Sequence, residues 1–279
     1  MITRRTGYLT VRTDPVPQAS RRLEREGYVV LEGVFDAAEV AELEADIDRV
    51  FAEWPPDVRV KSQPEGHYDP FRYEMVNRSA VCQRAIAHPA ILEVVEPLLG
   101  EDCHVIANTA WRQEAGDRDH GGRFWHIDSG PHVPRPAGVP WDERIPYPVF
   151  AIAAHLLVHD SPLEAGPTGV IPRSHTSGQA PPYCEDDDLT CNGQGAVPIV
   201  AAAGDVALFV SDVWHRRMPS GSADPGRYFL QCHYGRRDLA PRLRATRAAN
   251  HLSDDAMARA ETRRQRDLVG LHRPGFYDG

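Results

Sequence analysis

Lysine is almost missing from this chain: Lys61 is the single one among 279 residues, and arginine carries the positive charge. The formal net charge is −9, so no basic excess exists to neutralise a phosphate backbone, and no nucleic-acid partner is expected. The same sign leans away from a strongly anionic substrate, although a local basic pocket can override it. Long apolar runs are missing too. The most apolar stretches, 150–158 and 199–210, are short and carry polar residues, so no membrane partner is expected. No apolar run follows Arg4-Arg5, which speaks against a signal peptide. Cysteine is scarce, with five at irregular spacing and no C-x-x-C pair. That argues against a disulfide framework and a structural zinc site, and places the protein in a reducing, cytoplasmic setting. Internal repeats and low-complexity tracts are absent, which excludes a solenoid.

What remains is an ordinary globular composition, long enough for a real core. Residues 1–279 read as a single domain in three parts. The first, 1–102, is mainly helical. Gly27-Tyr-Val-Val-Leu-Glu-Gly33 predicts a short strand between glycines. Asp36 and Glu39 then form a capping box before the helical stripe Val40, Leu43, Ile47, Val50, Phe51, Trp54. A second helical region, 79–99, ends at Gly100 and is divided by Pro89 and Pro97. The second part, 103–236, carries short β segments between Gly- and Pro-rich turns, at 103–113, 124–128, 149–158, 169–172, 205–210, 213–217 and 227–234. Many short strands of this kind predict a β-sandwich or barrel. The third, 237–279, returns to helix, with an Arg- and Glu-rich stretch at 254–267.

The chemistry concentrates in Arg123-Phe-Trp-His126-Ile-Asp128. On a strand, residues two apart share a face, so His126 and Asp128 point together while Ile127 points away. His215, after a buried-looking strand, completes two histidines and one carboxylate, the facial set of non-haem iron(II) oxygenases with three positions left open. His67-Tyr-Asp69 fits the same triplet, but its neighbours Gln63, Pro64, Glu65, Gly66 and Pro70 read as a loop, and it is rejected. Downstream, Arg227 opens another core strand. A guanidinium buried there needs an anionic partner, and the distal carboxylate of a dicarboxylate co-substrate suits its planar fork.

The order His-x-Asp, distant His, then Arg resembles the phytanoyl-CoA dioxygenase family of 2-oxoglutarate oxygenases, and the gap from 126 to 215 is of the size that family shows. The opening 27–35 with its helix, Phe71-Arg-Tyr-Glu-Met-Val-Asn77, and His88-Pro-Ala-Ile-Leu92 through Gly100 resemble the family's helical sections. Gly166-Pro-Thr-Gly-Val-Ile-Pro-Arg-Ser-His175 resembles its G-x-x-x-x-x-P-G-S-H turn, with Arg173 in place of the glycine. The similarity covers about 25–236. It implies a double-stranded β-helix (jelly roll) core with helices at both ends, Fe(II) on His126, Asp128 and His215, and 2-oxoglutarate with its distal carboxylate on Arg227. Thr168 and Asn108 are candidates for lining that pocket. The implied reaction couples dioxygen to hydroxylation of an unactivated C–H bond in a small metabolite or natural-product intermediate. Desaturation, epoxidation or cyclisation on the same fold is one alternative, and a non-catalytic binding protein is another. Halogenating relatives lack the carboxylate that Asp128 supplies. Nothing in the chain marks a coenzyme A thioester site.

The loop 129–147 follows the metal pair and is expected to meet substrate, with Trp141 for stacking and Arg144 for charge. Its proline density fits both a functional lid and a rigid surface excursion. Of the other candidates, His155 reads as a core or supporting histidine and His175 as structural, while the acidic run 185–188 lacks calcium-loop spacing. Arg216 and Arg217 compete with Arg227 for a carboxylate. Oligomeric state is not legible.

Overall fold

The computed structural model describes residues 2–5, 8–11, 16–54, 71–115, 122–239 and 252–272. His67 and Asp69 lie outside them. A hairpin of β1 (Ile2–Arg5) and β2 (Tyr8–Val11) precedes α1 (Gln18–Glu26), β3 (Tyr28–Leu31) and α2 (Ala37–Glu53). The capping box at Asp36 is formed: its carboxylate accepts from the Ala38 and Glu39 amides, and Glu39 reaches back to the Asp36 amide. α2 buries Leu43, Ile47, Val50 and Phe51 of the expected stripe, while Val40 is half-buried and Trp54, just past the helix end, is exposed.

After β4 (Phe71–Tyr73) come three short helices, α3 (Met75–Arg78), α4 (Ala80–Ala85) and α5 (Pro89–Leu99). Pro89 divides the helical region by occupying the first turn of α5, where its missing N–H costs nothing. Pro97 does not divide it; α5 runs through this residue, one turn from its end at Gly100.

The β part follows as β5 (His104–Gln113), β6 (Ala151–Leu157), β7 (Thr168–Val170), β8 (Val197–Pro198), β9 (Val206–Val210), β10 (His215–Arg217) and β11 (Arg227–Gly235). Two helices, α6 (Asp254–Arg259) and α7 (Arg263–Leu268), occupy the C-terminal stretch. The strands form a six-stranded sheet, β3-β9-β6-β11-β5-β4, and a three-stranded sheet, β10-β7-β8, antiparallel throughout.

Register decides what each face does. Along β11, Tyr228, Leu230, Cys232 and Tyr234 join Leu156, Leu208 and the helices in the main core. The alternate residues Arg227, Phe229, Gln231 and His233 must face the other way. On that side Ala153, Ala207 and Phe209 pack against Val170 and Val213 of the smaller sheet and its entry turn. The two sheets therefore stack into a sandwich, with helices covering the outer face of the larger one. Each fully buried aliphatic in these layers stabilises the fold by roughly 1.5–3 kcal/mol. No helix among the described residues is long and apolar enough to cross a membrane.

Candidate metal centre

The segment 124–128 is extended but does not form a regular strand. Its one ladder pair sets His126 against His215, each amide donating to the other's carbonyl at 3.0 Å. Asp128 instead donates its amide to Ser211 and Trp125 to Cys184, because residues 211–214 turn between β9 and β10 rather than running alongside. Extended backbone preserves the alternation all the same. Trp125 and Ile127 pack with Ile171 and Trp214 in an outer cluster, and His126 and Asp128 face inward. One ligand atom each from His126, Asp128 and His215 converge within 4.8 Å of one another.

The tautomers follow from the hydrogen bonds. His126 Nδ1 lies 2.7 Å from the Phe124 carbonyl and His215 Nδ1 lies 2.9 Å from that of Val213. A carbonyl only accepts, so both Nδ1 atoms carry hydrogen, and Nε2 is the nitrogen each ring has left for a cation. Burial lowers His215, but Asp128 outweighs it and raises it, so a cation at that Nε2 competes with a proton. Burial depresses His126 to about 4, helped by the nearby His215 charge. Burial opposes ionisation of Asp128, but His215, His233 and His126 outweigh it and hold the carboxylate ionised. Two imidazole nitrogens and one anionic oxygen, with His215 Nε2 3.5 Å from Asp128 Oδ1, are a donor set that fits iron(II).

Arg227 is 8% exposed and pairs with no carboxylate among the described residues. Its Nη2 donates to Thr168 Oγ1 at 3.0 Å, and its guanidinium lies over the Phe229 ring at 4.9 Å. Burial, with Arg217 nearby, lowers it to about 9, still protonated at neutral pH. Its competitors are engaged. Arg216 turns outward to the Glu185 carbonyl and the Asp187 carboxylate, which gives the acidic run a structural role. Arg217 is held by Gln113, the Ala165 carbonyl and Asp224. Thr168 thus stands beside Arg227 as expected. Asn108 does not. It pairs with Cys232 across the β5–β11 ladder, so its side chain lies on the helix-packed face, turned away from Arg227. The residue on the inner face is its neighbour Thr109, opposite Gln231.

The loop 129–147 is tied down at both ends by one buried carboxylate. Asp212 accepts from the His132 ring and amide and from the Tyr147 hydroxyl. This clamp favours the rigid excursion over a free lid. Trp141 donates to Ile145 within the loop and packs edge-on against Tyr147, while exposed Arg144 pairs with Asp142. Both line a cavity of about 920 Å³ with Trp214 and Arg21, but none of the three ligand residues lines it. The structure therefore does not bring Trp141 and Arg144 to the metal cluster.

Several inward residues escaped the sequence reading. His233 Nδ1 approaches Asp128 Oδ2 at 3.7 Å. Phe229 stacks on Trp111 at 5.4 Å, Phe71 meets Trp111 edge-on at 4.1 Å, and Phe209 leans on His215 at 4.8 Å. These rings give the inner face of the larger sheet an aromatic wall. Strand alternation from Arg227 would have found Phe229, Gln231 and His233, whereas Trp111 and Phe71 needed the register between strands.

Comparison with known proteins adds the following. The family model of phytanoyl-CoA dioxygenase matches residues 23–225. No curated protein sequence matches the chain. Among solved structures, EctD from S. alaskensis with 2-oxoglutarate and 5-hydroxyectoine is 20% identical, with a TM-score of 0.60, covering 84% of this chain and 82% of that one. The epimerase SnoN in complex with Fe3+, alpha ketoglutarate and nogalamycin RO is 22% identical, TM-score 0.59, covering 81% and 85%. The carbocyclase SnoK from nogalamycin biosynthesis is 17% identical, TM-score 0.58, with the same coverage. At these identities the likeness is one of fold, and it makes the sandwich the jelly roll that the sequence led us to expect.

Proposed function

The chain belongs to the phytanoyl-CoA dioxygenase family, and we propose that this iron(II)- and 2-oxoglutarate-dependent oxygenase hydroxylates an unactivated C–H bond of a small metabolite, such as a natural-product intermediate. His126, Asp128 and His215 are the iron ligands in this reading, and Arg227 with Thr168 receives the distal carboxylate of 2-oxoglutarate. The observation that carries it is the convergence of two histidines, each with Nδ1 committed to a carbonyl, on one ionised carboxylate.

Iron and 2-oxoglutarate, when bound, supply the oxidising power drawn from dioxygen. The chain's own residues bind and orient. The backbone carbonyls of Phe124 and Val213 orient the two imidazoles and leave each Nε2 as the atom that would hold the cation. Arg227 sets the far end of the co-substrate by a charge-assisted bond that lysine's point charge reproduces poorly. Phe71, Trp111 and Phe229 exclude water from the inner face and offer a flat apolar wall to the substrate. The presence of Asp128 speaks against halogenation. The ligand set speaks against a non-catalytic binding protein. SnoN and SnoK carry epimerase and carbocyclase names on this fold, so epimerisation joins desaturation, epoxidation and ring closure as outcomes to be separated by product mass together with the NMR structure of the product.

The test is turnover without substrate. Wild-type protein given iron(II), air and 2-oxoglutarate is expected to form succinate slowly. His126→Ala is expected to form none, and Arg227→Ala to need about 30–100-fold more 2-oxoglutarate, the worth of a charged hydrogen-bond pair. Equal succinate from wild type and His126→Ala would overturn the assignment.

A further inference from the structure

Inside the sandwich, a line of polar side chains runs from the aromatic wall to Arg227. Trp111 Nε1 lies 3.0 Å from Gln231 Oε1, and Gln231 Nε2 lies 3.4 Å from His155 Nε2. His155 Nδ1 lies 3.4 Å from Thr168 Oγ1, which accepts from Arg227 Nη2 at 3.0 Å. His155 and Thr168 are 6% and 7% exposed, so bulk water cannot substitute for these partners. The chain links four strands, β5, β11, β6 and β7.

Its direction is fixed by chemistry. An indole N–H can only donate, so the Gln231 carbonyl oxygen must accept. The Gln231 amide nitrogen then faces His155 and donates to Nε2. An imidazole that accepts at Nε2 carries its hydrogen on Nδ1, which donates to Thr168. The Thr168 oxygen therefore accepts twice, from His155 and from Arg227. Its own hydrogen remains to be given away, beside a guanidinium that has no carboxylate among the described residues.

We propose that Trp111, Gln231 and His155 are positioning residues for the co-substrate: a one-way hydrogen-bond relay from the Trp111 indole fixes the Nδ1–H tautomer of His155 and commits Thr168 to donate, with Arg227, to the distal carboxylate of 2-oxoglutarate. The inference rests on the reading of Arg227 given above. Burial, and after it the charge of Arg227, keeps His155 neutral, as a relay with one acceptor nitrogen requires. Two convergent donors and no acceptor suit a carboxylate, and the relay keeps Thr168 from turning an acceptor face to it.

Two measurements test this. Long-range 1H–15N correlation spectra of 15N-histidine-labelled, metal-free protein read the tautomer directly. The relay requires Nδ1–H at His155 in wild type and a shift toward Nε2–H in Trp111→Phe, which removes the indole hydrogen but keeps a ring. The second is anaerobic binding of 2-oxoglutarate and of 2-oxobutyrate to iron(II)-loaded protein; 2-oxobutyrate has the same keto-acid head and no distal carboxylate. Thr168→Val is expected to weaken 2-oxoglutarate about 10-fold and Trp111→Phe about threefold, with 2-oxobutyrate unchanged and Thr168→Ser restoring wild-type binding. An Nε2–H His155 in wild type, or equal weakening of both keto acids in Trp111→Phe, would overturn the relay. Wild type that binds both keto acids alike would count against the Arg227 reading instead, and the tautomer would still decide the relay.

Discussion

Arg173 shows how a single backbone angle accounts for a departure from a family pattern. It stands where the resembling turn has glycine, and its φ is +65°. That left-handed conformation costs a residue with a Cβ about 1 kcal/mol, and glycine almost nothing. The Arg173 amide donates to the Glu26 carbonyl at 2.9 Å, as a glycine's would, and its side chain reaches Glu143. Both side chains of that ion pair are exposed, so it adds little. Arg173→Gly is therefore expected to leave stability unchanged or raise it by up to about 1 kcal/mol in denaturant titration. A loss beyond about 1 kcal/mol would show that the Glu143 pair holds the turn. The ligands themselves were legible in the sequence because His-x-Asp encodes its own geometry. Asp212 was not, since its work depends on the fold bringing residues 132 and 147 to one carboxylate.

Among the elements, the junction of α1 and β3 is where two motifs far apart in sequence meet. Gly27 ends α1 with φ +85°, its amide donating to Leu23 at 2.9 Å. A methyl placed there would lie 2.7 Å from His175 Nδ1 and 2.9 Å from Val213 Cγ2. The glycine of the N-terminal strand and the histidine of the Pro-Arg-Ser-His turn are thus halves of one contact, just ahead of His215. Gly27→Ala combines a left-handed alanine with a clash and is expected to cost about 3 kcal/mol, read as a lower Tm. Full stability in this variant would mean that the contact is slack. Most strands were visible as short β-rich runs between Gly and Pro turns. The segment 124–128 was overread because alternation marks extended backbone, not a ladder. β4 and β8 are too short, at Phe71–Tyr73 and Val197–Pro198, to carry a period of their own. The same limit explains the misplaced Asn108: its side depends on the pairing of β5 with β11, which only the sheet reveals.

For the molecule as a whole, buried histidines outside the metal cluster oppose acid: His155, kept neutral by burial, and with it His104 and His175. His104 and His175 are 2% and 1% exposed, and burial depresses each to about 4. In the unfolded chain they return to about 6.5. Between these values the unfolded state binds more protons, so stability is complete above pH 6.5 and is lost as pH falls toward 4. Each histidine contributes up to about 3 kcal/mol to that loss. A Tm series across the window should fall steeply for wild type and less steeply for His175→Gln. Parallel slopes would remove His175 from the account. The larger plan, helices outside a β-sandwich, was readable from composition and spacing, while the stacking that faces His155 toward Thr168 and Phe209 toward His215 was not.

The claim on which the rest depends is that His126, Asp128 and His215 hold one iron(II). Anaerobic equilibrium dialysis of wild type, His126→Ala and Asp128→Ala, with metal analysis, tests it without a substrate. Wild type should hold one iron(II) per chain, and each variant should bind it at least about 100-fold more weakly. Iron bound equally well by Asp128→Ala would contradict the assignment of the centre.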